Sequence, residues 1–140
     1  MKENYKILGK FIKDMSSETS DIETFLFVKD YISKYQLNID INSKALKNKM
    51  VEINTTLKFE DKDENSKKSH FEIIFTTIVR INDQIKEKKD LEKIILCDVQ
   101  KEIYPDLEKS FLDLLHNSGY PEIKFEKKID FEKLYNQRFN

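Results

Sequence analysis

The alternation of apolar and polar residues constrains this chain most, because a period of two places every second side chain on one face of a β-strand. This alternation recurs in four segments, residues 5–18, 37–42, 51–59 and 70–81. Short polar links at 42–48 and 61–69 separate the last three segments. Because links of this length suit hairpins, the pattern predicts a four-stranded antiparallel sheet arranged as a meander.

The period changes from Asp90 onward, where apolar residues recur at the three- and four-residue spacing of an α-helix. Asp90 is the expected N-cap and Gly119 the residue after the C-cap, while Pro105 predicts a kink or a junction of two helices. A short helix follows over about 130–138. Four strands followed by helices, without an intervening linker, indicate an α+β fold in a single domain of residues 1–140.

The connection at 19–35 is unusually long for a loop and is rich in aromatic residues. Its aromatic members are Phe25, Phe27, Tyr31 and Tyr35. Two interpretations remain open at this point. The cluster either covers the sheet as part of the core, or forms an adaptable apolar surface of the kind that binds many peptides.

Some apolar residues fall on the outer faces of the predicted strands and helix, where a single small domain has no second layer to bury them. Ile74 and Ile78 interrupt the polar face of the fourth strand, and Leu96, Cys97 and Leu112 lie off the core stripe of the long helix. This surplus predicts self-association, with the long helix as a contact surface.

Charge and composition exclude several classes of function. The 25 basic and 26 acidic residues leave a net charge of −1, so we expect no nucleic-acid partner. With 2 glycines the chain has no Gly-rich phosphate loop, and we expect no cofactor. No segment approaches the ~18 apolar residues of a membrane span and no signal peptide opens the chain, which predicts a cytoplasmic protein without direct membrane insertion.

The residues that could support catalysis or metal binding are few and scattered. His70 and His116 lack the spacing of a zinc site, so we expect no bound metal. Cys97 is the only cysteine and, within an apolar helix, is interpreted as a packing residue. Because no nucleophile is paired with a base, we predict that the protein is not an enzyme.

Several stretches in collinear order resemble the SecB family of protein-export chaperones. The first strand contains Phe-Ile-Lys-Asp-Met-Ser-Ser-Glu at 11–18, similar to the family's aromatic-x-Lys-Asp-(Ile/Leu)-Ser-x-Glu opening. Ile-Tyr-Pro at 103–105 and Ser-Gly-Tyr-Pro at 118–121 resemble its aromatic-proline step and the turn that follows. Ile-Asp-Phe-Glu-Lys-Leu-Tyr at 129–135 resembles its closing signature.

The resemblance implies a homotetramer, built as a dimer of dimers, that holds unfolded preproteins without ATP and passes them to the SecA translocation ATPase. It implies SecA contacts on the outer sheet face, at Asp14, Glu18, His70 and Glu72. It also implies a client groove lined partly by the 19–35 connection and the last helix. The candidate client-binding residues are Phe25, Phe27, Tyr31, Tyr35, Leu134 and Tyr135.

Two departures from the family pattern affect the expected partners. The fourth strand carries Thr-Thr-Ile-Val at 76–79 in place of a Gln/Gly-rich segment, and the chain stops at Asn140 without the longer tail of many relatives. We therefore expect SecA binding to be weaker or to depend wholly on the sheet face. The alternatives are a SecB-like chaperone of a toxin–antitoxin system and a passive oligomeric scaffold.

Overall fold

The computed structural model describes residues 3–62 and 67–139, with side chains described as far as residue 137. The strands are β1 (Tyr5–Glu18), β2 (Gln36–Ala45), β3 (Met50–Glu60) and β4 (His70–Ile81). The α-helices are α1 (Ile22–Tyr31), α2 (Lys88–Lys93), α3 (Val99–Asn117) and α4 (Phe131–Phe139). A 3₁₀ turn at Ile32–Lys34 follows α1, and a π turn at Ile94–Asp98 joins α2 to α3. The predicted α+β class is confirmed.

The four strands form one antiparallel sheet in the order β1-β4-β3-β2. The meander prediction is therefore right for β2, β3 and β4 but wrong for β1, which pairs with β4 at the opposite edge. Because β1 and β2 are consecutive in sequence yet lie at opposite edges, the connection between them must cross the sheet. This requirement accounts for its length, and most of it is helix α1 rather than loop.

Strand β1 contains two irregularities that change which side chains face the core. Its register with β4 shifts between Ile7 and Gly9 and again between Ile12 and Asp14. Each shift adds a residue to β1 and reverses the faces of the residues beyond it. As a result Phe11 lies opposite Thr76, on the outer face of the sheet. The alternation along residues 5–18 predicts that Ile7, Phe11 and Met15 share one face, and this prediction is wrong for Phe11 for this reason.

A continuous helical layer, α2, the π turn and α3, covers the other face of the sheet. The core between the layers is formed by fully buried side chains from β3, β4 and α3. These include Ile53, Leu57, Phe71, Ile73, Val79, Ile103, Leu107, Phe111 and Leu115. Burying one such aliphatic or aromatic side chain contributes about 1.5–3 kcal/mol, so this interface supplies much of the stability of the fold.

The helix does not break at Pro105, which lies within α3 with its ring exposed. The irregularity lies earlier, in the π turn. Next to it, the fully buried Gln100 at the start of α3 is fixed by two hydrogen bonds. Its amide nitrogen donates to the Ile95 carbonyl (3.3 Å), and its amide oxygen accepts from Thr55 Oγ1 (3.1 Å). The helix also begins at Lys88 after Glu87, so the predicted N-cap at Asp90 is wrong.

The surplus apolar residues of the helix are covered within one subunit. Leu96 and Cys97 are buried, Leu112 is half-buried, and α4 packs against the π turn that carries the first two. Burial raises the pKa of the Cys97 thiol, in keeping with a packing role. These residues therefore give no support to a contact between subunits. Most of the exposed large apolar residues lie instead on β1 and α1.

Candidate functional site

A groove of about 1160 Å³ opens between the start of β2 and the segment that follows α3. One wall comes from the 3₁₀ turn and the first residues of β2, and the other from residues 119–129. The apolar part of the lining consists of Ile32, Leu37, Phe59, Ile123, Phe125 and Ile129. All of these except Phe59 are only partly buried, so they present apolar surface to a ligand without any local unfolding.

The 119–129 wall is held in place by a turn and by ring contacts. Gly119 has a φ of +112°, a left-handed conformation that lets the chain turn back after α3. The ring of Phe125 then packs against Phe59 (centroids 5.9 Å apart) and Phe111 (6.3 Å). A hydrogen bond of 2.8 Å joins His116 Nε2 and the Ile123 carbonyl. His116 thus positions the groove wall rather than lying free at a helix end.

Tyr35 forms part of the groove lining and of the core beneath it. Its ring contacts Phe59 and Phe71, and its hydroxyl accepts a hydrogen bond of 3.1 Å from the Ser69 backbone N–H. Burial raises the pKa of this phenol. Among the six predicted client-binding residues, all of which lie in the described part of the chain, Tyr35 alone lines the groove.

Of the other predicted residues of the connection, Phe25 packs α1 against another segment, and Phe27 and Tyr31 contact each other within the helix. Phe25 is half-buried against Tyr120, with ring centroids 5.5 Å apart. The rings of Phe27 and Tyr31 lie 4.7 Å apart, and the Lys34 ammonium lies 5.1 Å above the Tyr31 ring. Tyr31 is 40% exposed, so this small stack forms a surface beside the groove rather than a wall of it.

The two predicted residues of α4 differ from each other in exposure. Tyr135 is buried and its hydroxyl donates to the Lys89 carbonyl (3.2 Å), which ties α4 to α2. Leu134 is 38% exposed and lies outside the groove. A role in client contact stays a prediction for both residues.

Exposed apolar side chains that the sequence analysis did not single out cluster on α1 and β1. Ile22 and Leu26 of α1 are 76% and 56% exposed, and their four-residue spacing places them on one helix face. On β1 the exposed apolar residues are Leu8, Phe11, Ile12 and Met15. The shared helix face of Ile22 and Leu26 could be predicted from helical spacing within 22–31. The exposure of the β1 residues could not, because it depends on the edge position of β1 and on its register shifts.

The four predicted SecA-contact residues come together at one end of the outer sheet face. Glu18 lies opposite His70 across the β1–β4 pair, Ser16 lies opposite Glu72, and Asp14 lies opposite Ile74. Glu72 is partly neutralised by Lys58, whose Nζ lies 3.6 Å from its carboxylate, and His70 Nε2 also lies 3.6 Å from that carboxylate. The acidic character of this docking face therefore comes mainly from Asp14 and Glu18.

The described residues contain no group of three or more His, Cys, Asp or Glu side chains placed to hold a metal ion. Within the same part of the chain, no helix is both long and apolar enough to cross a bilayer. The groove is lined by apolar side chains with charged residues around them, which suits the binding of an extended peptide segment.

Comparison with known proteins supports the resemblance in sequence. Residues 1–140 match the family described as preprotein translocase subunit SecB. This chain belongs to the SecB family. Its members are chaperones of protein export and not enzymes.

Individual SecB proteins show the same relationship over the length of the chain. A putative protein-export protein SecB of Pelagibacter ubique is 64% identical over all of both chains. The protein-export protein SecB of Mesorhizobium japonicum is 20% identical over 94% of this chain and 77% of the relative. A Mycobacterium tuberculosis SecB-like chaperone, solved with an antitoxin peptide, superimposes with a TM-score of 0.62 at 10% identity, covering 89% of this chain and 91% of that one. This last comparison bears on the fold alone.

Proposed function

We propose that this SecB-family chain binds unfolded segments of precursor proteins in the groove and delivers them to the SecA ATPase. It acts in the cytoplasm, without ATP, before the precursor folds or aggregates. The observation that carries the proposal is the partly exposed apolar groove between the start of β2 and residues 119–129. Half-buried aliphatic and aromatic side chains bind a client mainly by burying apolar surface and not through specific hydrogen bonds. They can therefore bind segments of many different sequences.

The groove also argues against a passive scaffold, since a scaffold has no need of an open apolar cleft apart from its subunit contacts. The 64% identity to a protein-export relative supports the export role over an antitoxin-guarding one. On the docking face, Asp14 and Glu18 lie on the sheet surface facing away from the helical layer. An acidic patch of this kind suits a basic surface of SecA and leaves the client in place during transfer.

A homotetramer fits the exposed edge of β1. Ile12 and Met15, on the helix side of this edge strand, are 43% and 45% exposed, and Phe11 on its outer side is 49% exposed. An edge strand with unpaired backbone groups and apolar side chains is a template for pairing with a second copy. Several grooves on one assembly would then hold separate segments of one long client, which raises its affinity through effective concentration.

The direct test is aggregation of an unfolded precursor followed by light scattering. Protein added in stoichiometric amount and without nucleotide should suppress the scattering. A variant with two half-buried apolar residues of the groove lining made polar, Phe125→Ser with Ile129→Ser, should lose this effect. The matched control, Leu46→Ser at the far β2–β3 turn, should keep it. If wild-type protein leaves aggregation unchanged at stoichiometric excess, the proposed function is wrong.

A further inference from the structure

We infer that the groove selects unfolded segments in which carboxylate side chains accompany the apolar ones. This inference rests on the proposed function and specifies the class of client that the groove prefers. The observation behind it is the distribution of charge around the apolar lining, which differs sharply from the near-neutral balance of the whole chain.

Six charged residues lie along the groove, and lysine predominates among them. Lys29 comes from α1, and Lys124, Lys127 and Lys128 come from the opposite wall. Two glutamates, Glu122 and Glu126, line the same wall. Four positive and two negative charges leave a net charge of +2 at the groove, against −1 for the chain.

The four groove lysines are not engaged in interactions within the described part of the chain. All four are exposed, and none forms an ion pair or a hydrogen bond with another described residue. Lysines elsewhere are often paired; Lys10, for example, contacts Asp106 at 2.9 Å, and Lys101 contacts Glu132 at 2.8 Å. The groove ammonium groups therefore remain available to a ligand.

The lysines of the 119–129 wall lie where a bound segment can reach them. Ile123 and Phe125 alternate with exposed charges at Glu122, Lys124 and Glu126. The exposed Lys127 and Lys128 follow, so that lysines outnumber glutamates three to two along this wall. A client segment in extended conformation also alternates its side chains. Its apolar residues can occupy the lining while its carboxylates lie against the lysine rim.

The same charge distribution separates the two binding surfaces of the molecule. The docking face carries the carboxylates of Asp14 and Glu18, and the groove carries lysines that have no ion-pair partner among the described residues. An acidic client segment is repelled by the docking face, and a basic partner surface is repelled by the groove rim. Each ligand is thus directed to its own surface.

The test compares extended peptides that share one apolar pattern but carry flanking glutamates, lysines or serines. At low ionic strength the glutamate peptide should bind about tenfold more tightly than the lysine peptide, and high ionic strength should reduce this ratio toward one. Lys124→Glu with Lys128→Glu should reverse the preference. The control, Lys47→Glu with Lys86→Glu, changes the net charge equally but outside the groove and should leave the preference intact.

The outcomes separate this inference from the proposed function. Equal binding of all three peptides by wild-type protein, together with suppression of precursor aggregation, would overturn the charge selection and leave the holding function standing. A preference that follows net charge alone, changing as much in the control as in the groove variant, would overturn it as well. Failure to bind any peptide or to suppress aggregation would overturn the proposed function itself.

Discussion

Gly119 is the single residue on which the groove wall most depends. It follows the C-cap of α3 with a φ of +112°, and a Cβ built there would lie 2.4 Å from Phe25 Cε1. Any other residue would strain the backbone and push Phe25 away from Tyr120. Gly119 therefore allows both the turn into the groove wall and the packing of Phe25 of α1 against Tyr120.

Gly119→Ala should lower the free energy of unfolding by about 1–3 kcal/mol, because backbone strain and the Phe25 contact act together. Urea denaturation measures this. Gly9→Ala is the matched control, since Gly9 has no positive φ and no atom within 4 Å of its built Cβ. Its effect should stay within about 0.5 kcal/mol. Equal stability of the Gly119 variant and wild type would contradict the role given to this turn.

Among the secondary-structure elements, helix α1 lies in the connection between β1 and β2, and its contribution to stability can be tested through its N-cap. Its N-cap is Asp21, whose Oδ1 accepts a hydrogen bond of 2.7 Å from the Thr24 backbone N–H. That hydrogen bond holds the pKa of Asp21 below its ordinary value of 3.8. A lowered pKa means that the ionised cap stabilises the folded state fully above this ordinary value. The effect is lost as pH falls below that value and through the lowered pKa of the folded state.

Asp21→Asn keeps an acceptor at the cap but removes the charge. The variant should be less stable than wild type at neutral pH, and the difference should shrink as pH falls below the ordinary carboxyl pKa of 3.8. Asp21→Ala, which removes the acceptor, should be less stable than the Asn variant at neutral pH. Urea midpoints across this pH range provide the measurement. A difference that is constant, or that grows in acid, would contradict the role of the charged cap.

Most elements could be predicted from the sequence, because each depends on its own periodicity. Strands β1 and β4 and the helix at 131–139 lie at or within a residue of their expected positions. The irregular features could not be predicted, since they depend on distant residues. The β1 register shifts are defined by pairing with β4, and the π turn is fixed by Gln100 bonding to Thr55.

The groove could not be predicted from the sequence either, because it also depends on residues that are distant along the chain. Its two walls, near residues 32–37 and 119–129, meet only because β2 lies at one edge of the sheet and α3 ends beside it. The aromatic cluster at 25–35 pointed to the correct region. Its members nevertheless pack mainly against Tyr120 and each other, and Tyr35 is the one that reaches the groove.

At the scale of the whole molecule, self-association should depend on the exposed edge of β1. Ile12→Lys with Met15→Lys should lower the solution mass, because charges on an edge strand oppose its pairing with a second copy. Sedimentation or light scattering measures the mass. Ile22→Lys with Leu26→Lys on α1 is the control for exposed apolar residues and should leave the mass unchanged. Loss of assembly in the α1 variant alone would place the interface elsewhere.

Partner binding should be separable from client binding, because the docking face and the groove share none of their residues. Asp14→Lys with Glu18→Lys should weaken SecA binding by about tenfold and leave client affinity unchanged. Asp40→Lys, on the same outer face but on β2, is the matched control and should bind SecA normally. If SecA titrations give the same affinity for the Asp14/Glu18 variant and wild type, SecA binds another surface.

The location of a bound client can be tested most directly by hydrogen–deuterium exchange of the protein with and without an unfolded precursor. We expect slower exchange in residues 32–37 and 119–129, the two walls of the groove, with little change across the solvent-facing side of α3. Slower exchange confined to α3 or to the outer sheet face, with both groove walls unaffected, would contradict this expectation.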